Sequence, residues 1–162
     1  MEIAIVSDTH VPSRASRIPD PFRERIRAAD HVVHAGDFDA ESTVADVRDL
    51  ADTLTAVRGN TDPAVGLPEV ATVELGGVSF VVTHGTGSKR GYEDRVARLV
   101  REHGGTDAVG ISGHTHEVLD TTRGGVRLLN PGSATAASPA TSATMLTATA
   151  ADGDLTVRRH EL

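Results

Sequence analysis

Glu2-Ile3-Ala4-Ile5-Val6-Ser7-Asp8-Thr9-His10 is the stretch from which the rest of the chain is read. Residues 2 to 7 are mostly apolar and partly β-branched, and the run is too short for a helix. It predicts a buried strand that delivers polar side chains at its carboxyl end. On an extended backbone Asp8 and His10 would share a face. Taken alone, Asp8 is as readily a turn or capping residue, so the pattern gains weight only by recurring.

It recurs twice in the first sixty residues. His31-Val32-Val33-His34-Ala35 predicts a second strand that stops at Gly36-Asp37, and Leu54-Thr55-Ala56-Val57-Arg58 a third that stops at Gly59-Asn60-Thr61-Asp62. Between the first two, Pro12, Pro19 and Pro21 with Ser13 and Ser16 mark a loop. Asp20 is the expected cap of a helix through Phe22, Ile26 and Ala29, with Pro21 in its first turn. A second helix, starting at Asp39 or Glu41, carries Val44, Val47 and Leu50 on one face. Strand, helix, strand predicts an α/β sheet with right-handed crossovers, whose ligands collect beyond the carboxyl ends of the strands.

After residue 70 the rhythm changes. Val70 to Leu75 and Val78 to Thr83 flank Gly76-Gly77, a hairpin signal, and the second run ends in Thr83-His84-Gly85. Gly85-Thr86-Gly87-Ser88-Lys89 lacks the glycine spacing of a P-loop, which excludes that mode of triphosphate binding. Tyr92, Val96, Leu99 and Val100 mark an amphipathic helix closed by Gly104-Gly105. Asp107 to Ser112 predicts a strand leading into Gly113-His114-Thr115-His116, two imidazoles two residues apart that could face one metal or two adjacent ones. A second hairpin follows over Val118 to Asn130, then the turn Asn130-Pro131-Gly132-Ser133, a loop of Ala, Ser and Thr over 134 to 143, and two closing strands around Asp152-Gly153. The second half therefore reads as mostly antiparallel, giving two packed sheets with helices outside and the site at one shared edge.

The length of 162 residues suits a single domain over 1–162 with a core of its own. The absence of cysteine excludes disulfides, thiolate zinc sites and thiol nucleophiles, so any metal is held by imidazole, carboxylate or amide. A formal net charge of −7 argues against a nucleic-acid partner, and no membrane is expected, because no apolar run approaches a span. Nothing resembling a signal peptide precedes the first strand, so a cytoplasmic protein is expected. Of sixteen basic residues only Lys89 is lysine, which fits either a GC-rich genome or adaptation to salt; a melting temperature that rises with molar KCl would mark the second.

The strand-end residues together are Asp8, His10, Asp37, Asn60, His84, His114 and His116. Seven oxygen and nitrogen ligands exceed what one tetrahedral ion takes and suit two ions with a shared carboxylate. The ordered set Asp-x-His, Gly-Asp, Gly-Asn, Thr-His-Gly and Gly-His-Thr-His resembles the calcineurin-like metallophosphoesterases, above all their small single-domain phosphodiesterases, which share the Asn-Pro-Gly turn at 130 to 132. The resemblance runs from residue 3 to about 157. It implies a four-layer αββα sandwich. It also implies that Asp8, His10 and His116 hold a first metal, Asn60, His84 and His114 a second, and that Asp37 bridges them.

The implied activity is hydrolysis of a small phosphodiester by in-line attack of the hydroxide between two divalent cations, about 3.5 to 4 Å apart. Manganese is the expected ion, and Ni²⁺, Fe, Co and Zn²⁺ also suit the ligand types. Thr61 stands where phosphatases of the superfamily carry a histidine acid, and a threonine delivers no proton near neutral pH, which favours phosphodiesters over phosphoproteins. A phosphomonoesterase and a non-enzymatic scaffold of the same fold are the alternatives, and a homo-oligomer is left open. His34 reads as a packing or hydrogen-bonding residue, Asp62 as orienting Asn60 or closing its turn, and His31, His103 and His160 as solvated. Specificity is expected from the rim loops at 11–19, 62–69, 85–91 and 133–143.

Overall fold

The computed structural model describes residues 1–64 and 66–162; Val65, in the rim segment 62–69, lies outside them. The first half alternates as its periodicity predicts: β1 (Glu2–Val6), α1 (Asp20–Ala28), β2 (His31–His34), α2 (Glu41–Leu50) and β3 (Leu54–Ala56). A hairpin of β4 (Val70–Leu75) and β5 (Val78–Thr83) leads to α3 (Tyr92–Gly104) and the short β6 (Val109–Ile111). Two more hairpins complete the chain, β7 (Val118–Arg123) with β8 (Val126–Pro131), and β9 (Thr144–Ala151) with β10 (Asp154–Glu161). Each hairpin turns on two residues of positive φ, Gly76-Gly77, Gly124-Gly125 and Asp152-Gly153, as a two-residue primed turn requires.

The strands form two five-stranded sheets, ordered β10-β9-β1-β2-β3 and β4-β5-β6-β8-β7. β1, β2 and β3 are parallel, with Ile5 opposite Val33 and Val33 opposite Thr55, and the crossovers between them are α1 and α2. The second half is mostly antiparallel, as its hairpins predict, but β5, β6 and β8 run parallel to one another, so both sheets are mixed. The closing hairpin returns to the first sheet, where β9 pairs antiparallel with β1.

Period-two alternation sorts side chains into three cores. Ile3, Ile5 and Val33 point between the sheets at Phe80, Val82, Ile111 and Leu129. Their neighbours Ala4, Val6 and Val32 point outward, against Phe22 and Ile26 of α1 and Val44 and Val47 of α2. On the far side Val81 and Leu128 meet Tyr92, Val96 and Val100, one stripe of α3 at helical spacing. The result is a four-layer αββα sandwich. Each fully buried Ile or Phe contributes about 1.5–3 kcal/mol, so the strands are held by both faces at once.

Two local expectations are corrected and one is narrowed. Pro19, not Asp20, occupies the cap position of α1; Asp20 is the first helical residue, where its charge favours the helix dipole and pairs with Arg17. Of the two starts offered for α2 the structure takes the second, Glu41, and leaves Asp39 outside the helix, so this expectation is narrowed rather than overturned. The third strand stops at Ala56; the Val57 N–H still bonds the His34 carbonyl at 3.1 Å, but the Arg58 N–H turns away to Pro68 at 2.8 Å. The parallel strands β1, β2, β3, β5 and β6 end at one edge, and the segments after them carry the predicted ligands.

Candidate metal centre

All seven predicted residues come together at that edge, but not by strand alternation. Asp8, His10, Asp37, His114 and His116 have φ of 51°, 45°, 61°, 72° and 60°, in the left-handed region. The chain therefore coils back at each motif, and the same-face argument from an extended backbone does not apply. The two histidines of the Gly-His-Thr-His motif diverge: the His116 ring lies 5.1 Å from that of His10, and the His114 ring stands edge-on to His84 at 5.2 Å.

The glycine ahead of Asp37, Asn60 and His114 has a steric cause. A Cβ on Gly59 would stand 2.0 Å from Asp37 Oδ1 and 2.3 Å from the Asp37 nitrogen; one on Gly113 would stand 2.0 Å from Ser7 Oγ and 2.6 Å from Asp8 Oδ2. Gly36 combines φ +95° with a would-be Cβ 2.9 Å from His84 Nδ1. The loops are stacked backbone against side chain, which lets carboxylates from one sheet reach imidazoles from the other.

Hydrogen bonds then fix which ring nitrogen is free. A carbonyl only accepts, so His84 Nδ1 donates to Ala35 (2.7 Å), His116 Nδ1 to Ala137 (2.7 Å) and His114 Nε2 to Gly87 (2.8 Å). His10 Nδ1 donates to the Asp39 carboxylate at 2.8 Å. In the neutral rings the opposite nitrogen of each is a bare lone pair; those of His10, His84 and His116 face the Asp8 and Asp37 carboxylates, and that of His114 faces Asn60. His10 Nε2 and His116 Nε2 meet at 3.2 Å, and His114 Nδ1 meets Asn60 Oδ1 at 2.9 Å. His84 Nε2 is buried, without a hydrogen bond, 3.2 Å from Asp37 Oδ2.

The carboxylates span both sets. Asp37 Oδ2 is 3.6 Å from His10 Nε2 as well as 3.2 Å from His84 Nε2, and Asp8 Oδ1 is 3.2 Å from His116 Nε2 and 3.9 Å from both His10 and His84. Two groups, Asp8–His10–His116 and Asp8–Asp37–His84, each bring three ligand atoms within 4.8 Å of one another. Lone pairs and negative oxygens converging on one buried volume repel unless a cation lies among them. The donor set thus fits divalent metal, with imidazoles oriented by outer acceptors as in known metal sites.

Around the ligands stand supporting residues, some read only locally in the sequence and others, such as Asn130 and Tyr92, not read as part of the site at all. Asp62 does not touch Asn60: its carboxylate accepts the N–H groups of Asp37, Phe38, Asp39 and Gly59 at 2.7–2.9 Å, so it builds the Gly-Asp loop as well as closing its own turn. Asp39 orients His10 and also accepts from Thr61 Oγ1 (2.5 Å) and Ser13. Asn130 and Tyr92 both donate to the Gly113 carbonyl, at 2.8 and 2.6 Å, and hold the Gly-His-Thr-His segment from below. His34 is fully buried and stacked on Phe38, with Nδ1 accepting from the Gly36 N–H, as a packing and hydrogen-bonding residue. His103 is exposed, whereas His31 and His160 are half-buried and bonded to threonines, a correction to their reading as solvated.

Protonation follows from this geometry. Burial depresses His84, but the Asp37 and Asp8 carboxylates more than offset it and its pKa is raised; burial and Asp8 set the same balance at His116. Burial disfavours the Asp37 carboxylate, yet His84 and the Thr61 N–H bring it net below the ordinary range. Burial, helped by the His84 charge, pushes His34 down to about 3. Raised histidines stabilise the metal-free fold fully below the unfolded value near 6.5, and that contribution fades as pH rises through the folded value. A cation takes the place of those protons, so the gap in melting temperature between Mn²⁺-loaded and chelated protein should widen from pH 6 to pH 8. His34 stays neutral in both forms and cancels from the difference.

Comparison with known proteins places the chain. The model of the calcineurin-like phosphoesterase superfamily domain matches residues 1–153. A probable metallophosphoesterase of Methanothermobacter thermautotrophicus is 34% identical over 137 residues, 83% of this chain and 78% of the relative. The chain belongs to the calcineurin-like phosphoesterase superfamily. Among solved structures it is similar to zinc-complexed Vps29 from Entamoeba histolytica, with TM-score 0.76 and 26% identity over 99% of both chains. An archaeal phosphodiesterase shares the fold, with TM-score 0.74 and 22% identity over the full length of both chains.

Proposed function

We propose that this chain, acting as one domain, is a dinuclear metal-dependent phosphodiesterase of small substrates. The observation that carries the reading is the convergence of three bare imidazole nitrogens, from His10, His84 and His116, on the Asp8 and Asp37 carboxylates, with His114 beside Asn60 at the rim. Asp8, His10 and His116 would hold one ion, Asn60, His84 and His114 the other, and Asp37 both. When bound, two such cations supply an activated water and clamp phosphoryl oxygens for in-line displacement. The chain's own part is orientation: Asp39, Ala35, Ala137 and Gly87 each fix one imidazole, and Asp62 fixes the loop that presents Asp37.

The phosphodiester preference is supported by Thr61. Its hydroxyl is committed to Asp39 and its N–H to Asp37 Oδ1 at 3.0 Å, so no titratable side chain stands there for the leaving group. A scaffold needs an apolar docking face, and among the described residues the large apolar side chains exposed to solvent are Met1 and Leu162 alone. That favours the enzyme, as does the complete ligand set. Among the described residues no helix is long and apolar enough to cross a membrane.

Hydrolysis of bis(p-nitrophenyl) phosphate with added Mn²⁺, lost on chelation and restored by metal, is the expected result. Faster turnover of p-nitrophenyl phosphate would make the protein a phosphomonoesterase. No turnover of either with any of Mn²⁺, Ni²⁺, Fe, Co or Zn²⁺ would leave the scaffold.

A further inference from the structure

Beside the second ligand set lies a cavity of about 330 Å³, bordered by Asn60 and His84, with Arg58 at one side and Arg95 and Leu99 of α3 at the other. Taking the phosphodiesterase reading as its basis, we infer that this cavity seats one ester group of the substrate, and that this group carries a second negative charge on a compact apolar body.

Arg95 supplies the first reason. Three arginines are half-buried. Arg23 faces Asp46 at 2.6 Å and Arg127 faces Asp120 at 2.8 Å, whereas Arg95 makes no ion pair with any described carboxylate. Its Nη2 donates to the carbonyls of Gly85 (3.1 Å) and Ser88 (2.9 Å), and its buried Nε has no partner. Carbonyl dipoles and the Tyr92 ring, whose centre is 5.8 Å from the guanidinium carbon, hold the group in place but supply no counter-charge, and a partly desolvated cation gains most from an anion that joins it.

Arg58 supplies the second. It precedes Gly59-Asn60, and its side chain makes one hydrogen bond, from Nε to the Asp62 carbonyl at 3.4 Å, with no ion pair among the described residues. Glu69 is the one acid on the cavity wall, so two cations outnumber it in a chain whose net charge is −7. Such a local reversal of sign draws the anionic end of a substrate toward Asn60 and His84. Val70, Val96 and Leu99 supply an apolar surface, and the volume accommodates a ring-sized group.

The test uses two diesters with the same leaving group, p-nitrophenyl phenyl phosphate and p-nitrophenyl 4-carboxyphenyl phosphate, on Mn²⁺-loaded protein. The wild type is expected to favour the carboxylated ester at least tenfold in kcat/KM. Arg58→Met should bring that ratio close to one and Arg58→Glu should invert it, while Arg90→Met, an exposed arginine outside the cavity, should keep it. Calorimetric binding of phenyl phosphate and 4-carboxyphenyl phosphate reads the same ratio without turnover. If neither diester is hydrolysed, the phosphodiesterase reading falls while calorimetry still decides the cavity. A wild-type ratio near one in the assay that responds, or one that survives Arg58→Met, overturns the inference.

Discussion

Asp37→Ala is expected to lower phosphodiester turnover by at least about 10³-fold and to reduce bound manganese from about two ions per chain to one or fewer. Asp37 Oδ2 lies within 3.6 Å of imidazoles from both ligand sets, so its loss removes the group common to both. The fold should survive, since the loop keeps the bonds of the Asp37, Phe38 and Asp39 N–H groups to Asp62 and loses one, from the Thr61 N–H to Asp37 Oδ1. His31→Ala is the contrast. It gives up bonds to Thr53 and Thr55, about 1 kcal/mol of stability, and should leave rate and metal content within twofold of wild type. Steady-state rates and elemental analysis of the two variants decide the matter. Near wild-type turnover in Asp37→Ala would refute a dinuclear mechanism.

Gly59→Ala should be nearly as damaging although glycine carries no chemistry. Gly59 has an ordinary backbone conformation, so the effect is purely steric: one methyl group 2.0 Å from Asp37 Oδ1 and 2.3 Å from the Asp37 nitrogen. Neither can retreat, because that nitrogen is bonded to Asp62 and that oxygen to the Thr61 N–H. A loss of about 3 kcal/mol or more is expected, a fall in melting temperature of roughly 10 °C, with loss of metal from the protein that remains folded. Gly91→Ala provides the scale. Its φ of 71° and ψ of 15° are left-handed and the space around it is open, so it should lose only about 1 kcal/mol, from the backbone alone. Equal thermal shifts in the two variants would show that packing at Gly59 is looser than described.

Much of this molecule is legible in its sequence because much of it is local. Period-two runs bounded by Gly76-Gly77 or Asp152-Gly153 leave few alternatives to hairpins, and the stripe Tyr92, Val96, Val100 leaves few to a helix. The ligands were legible for a different reason, as chemistry repeated at strand ends. What was not legible is contact across sequence distance. Asp39 is 29 residues from His10, and Asp62 is 25 from Asp37; each looks locally like a turn residue and acts as an acceptor for a partner elsewhere. Tyr92 reads as an apolar helix position, yet its hydroxyl reaches Ser112 and Gly113. The loop 134 to 143 reads as low complexity, although its Ala137 carbonyl sets the tautomer of His116. The Asp-x-His and His-x-His pairs were found for an incomplete reason, since a coil that reverses at every motif scatters their side chains to different partners.

That reversal bears on how such a protein changes over generations. Asp8, His10, Asp37, Asp39, His114 and His116 all hold positive φ, at about 1 kcal/mol apiece relative to a residue that rests there freely. Glycine would relax every one of these sites while erasing the group that binds. In a lineage where these side chains bound nothing, only the hydrogen bonds they accept, such as those of Asp39 from His10 and Thr61, would be set against the strain, so keeping all six is what the proposed metal chemistry would demand.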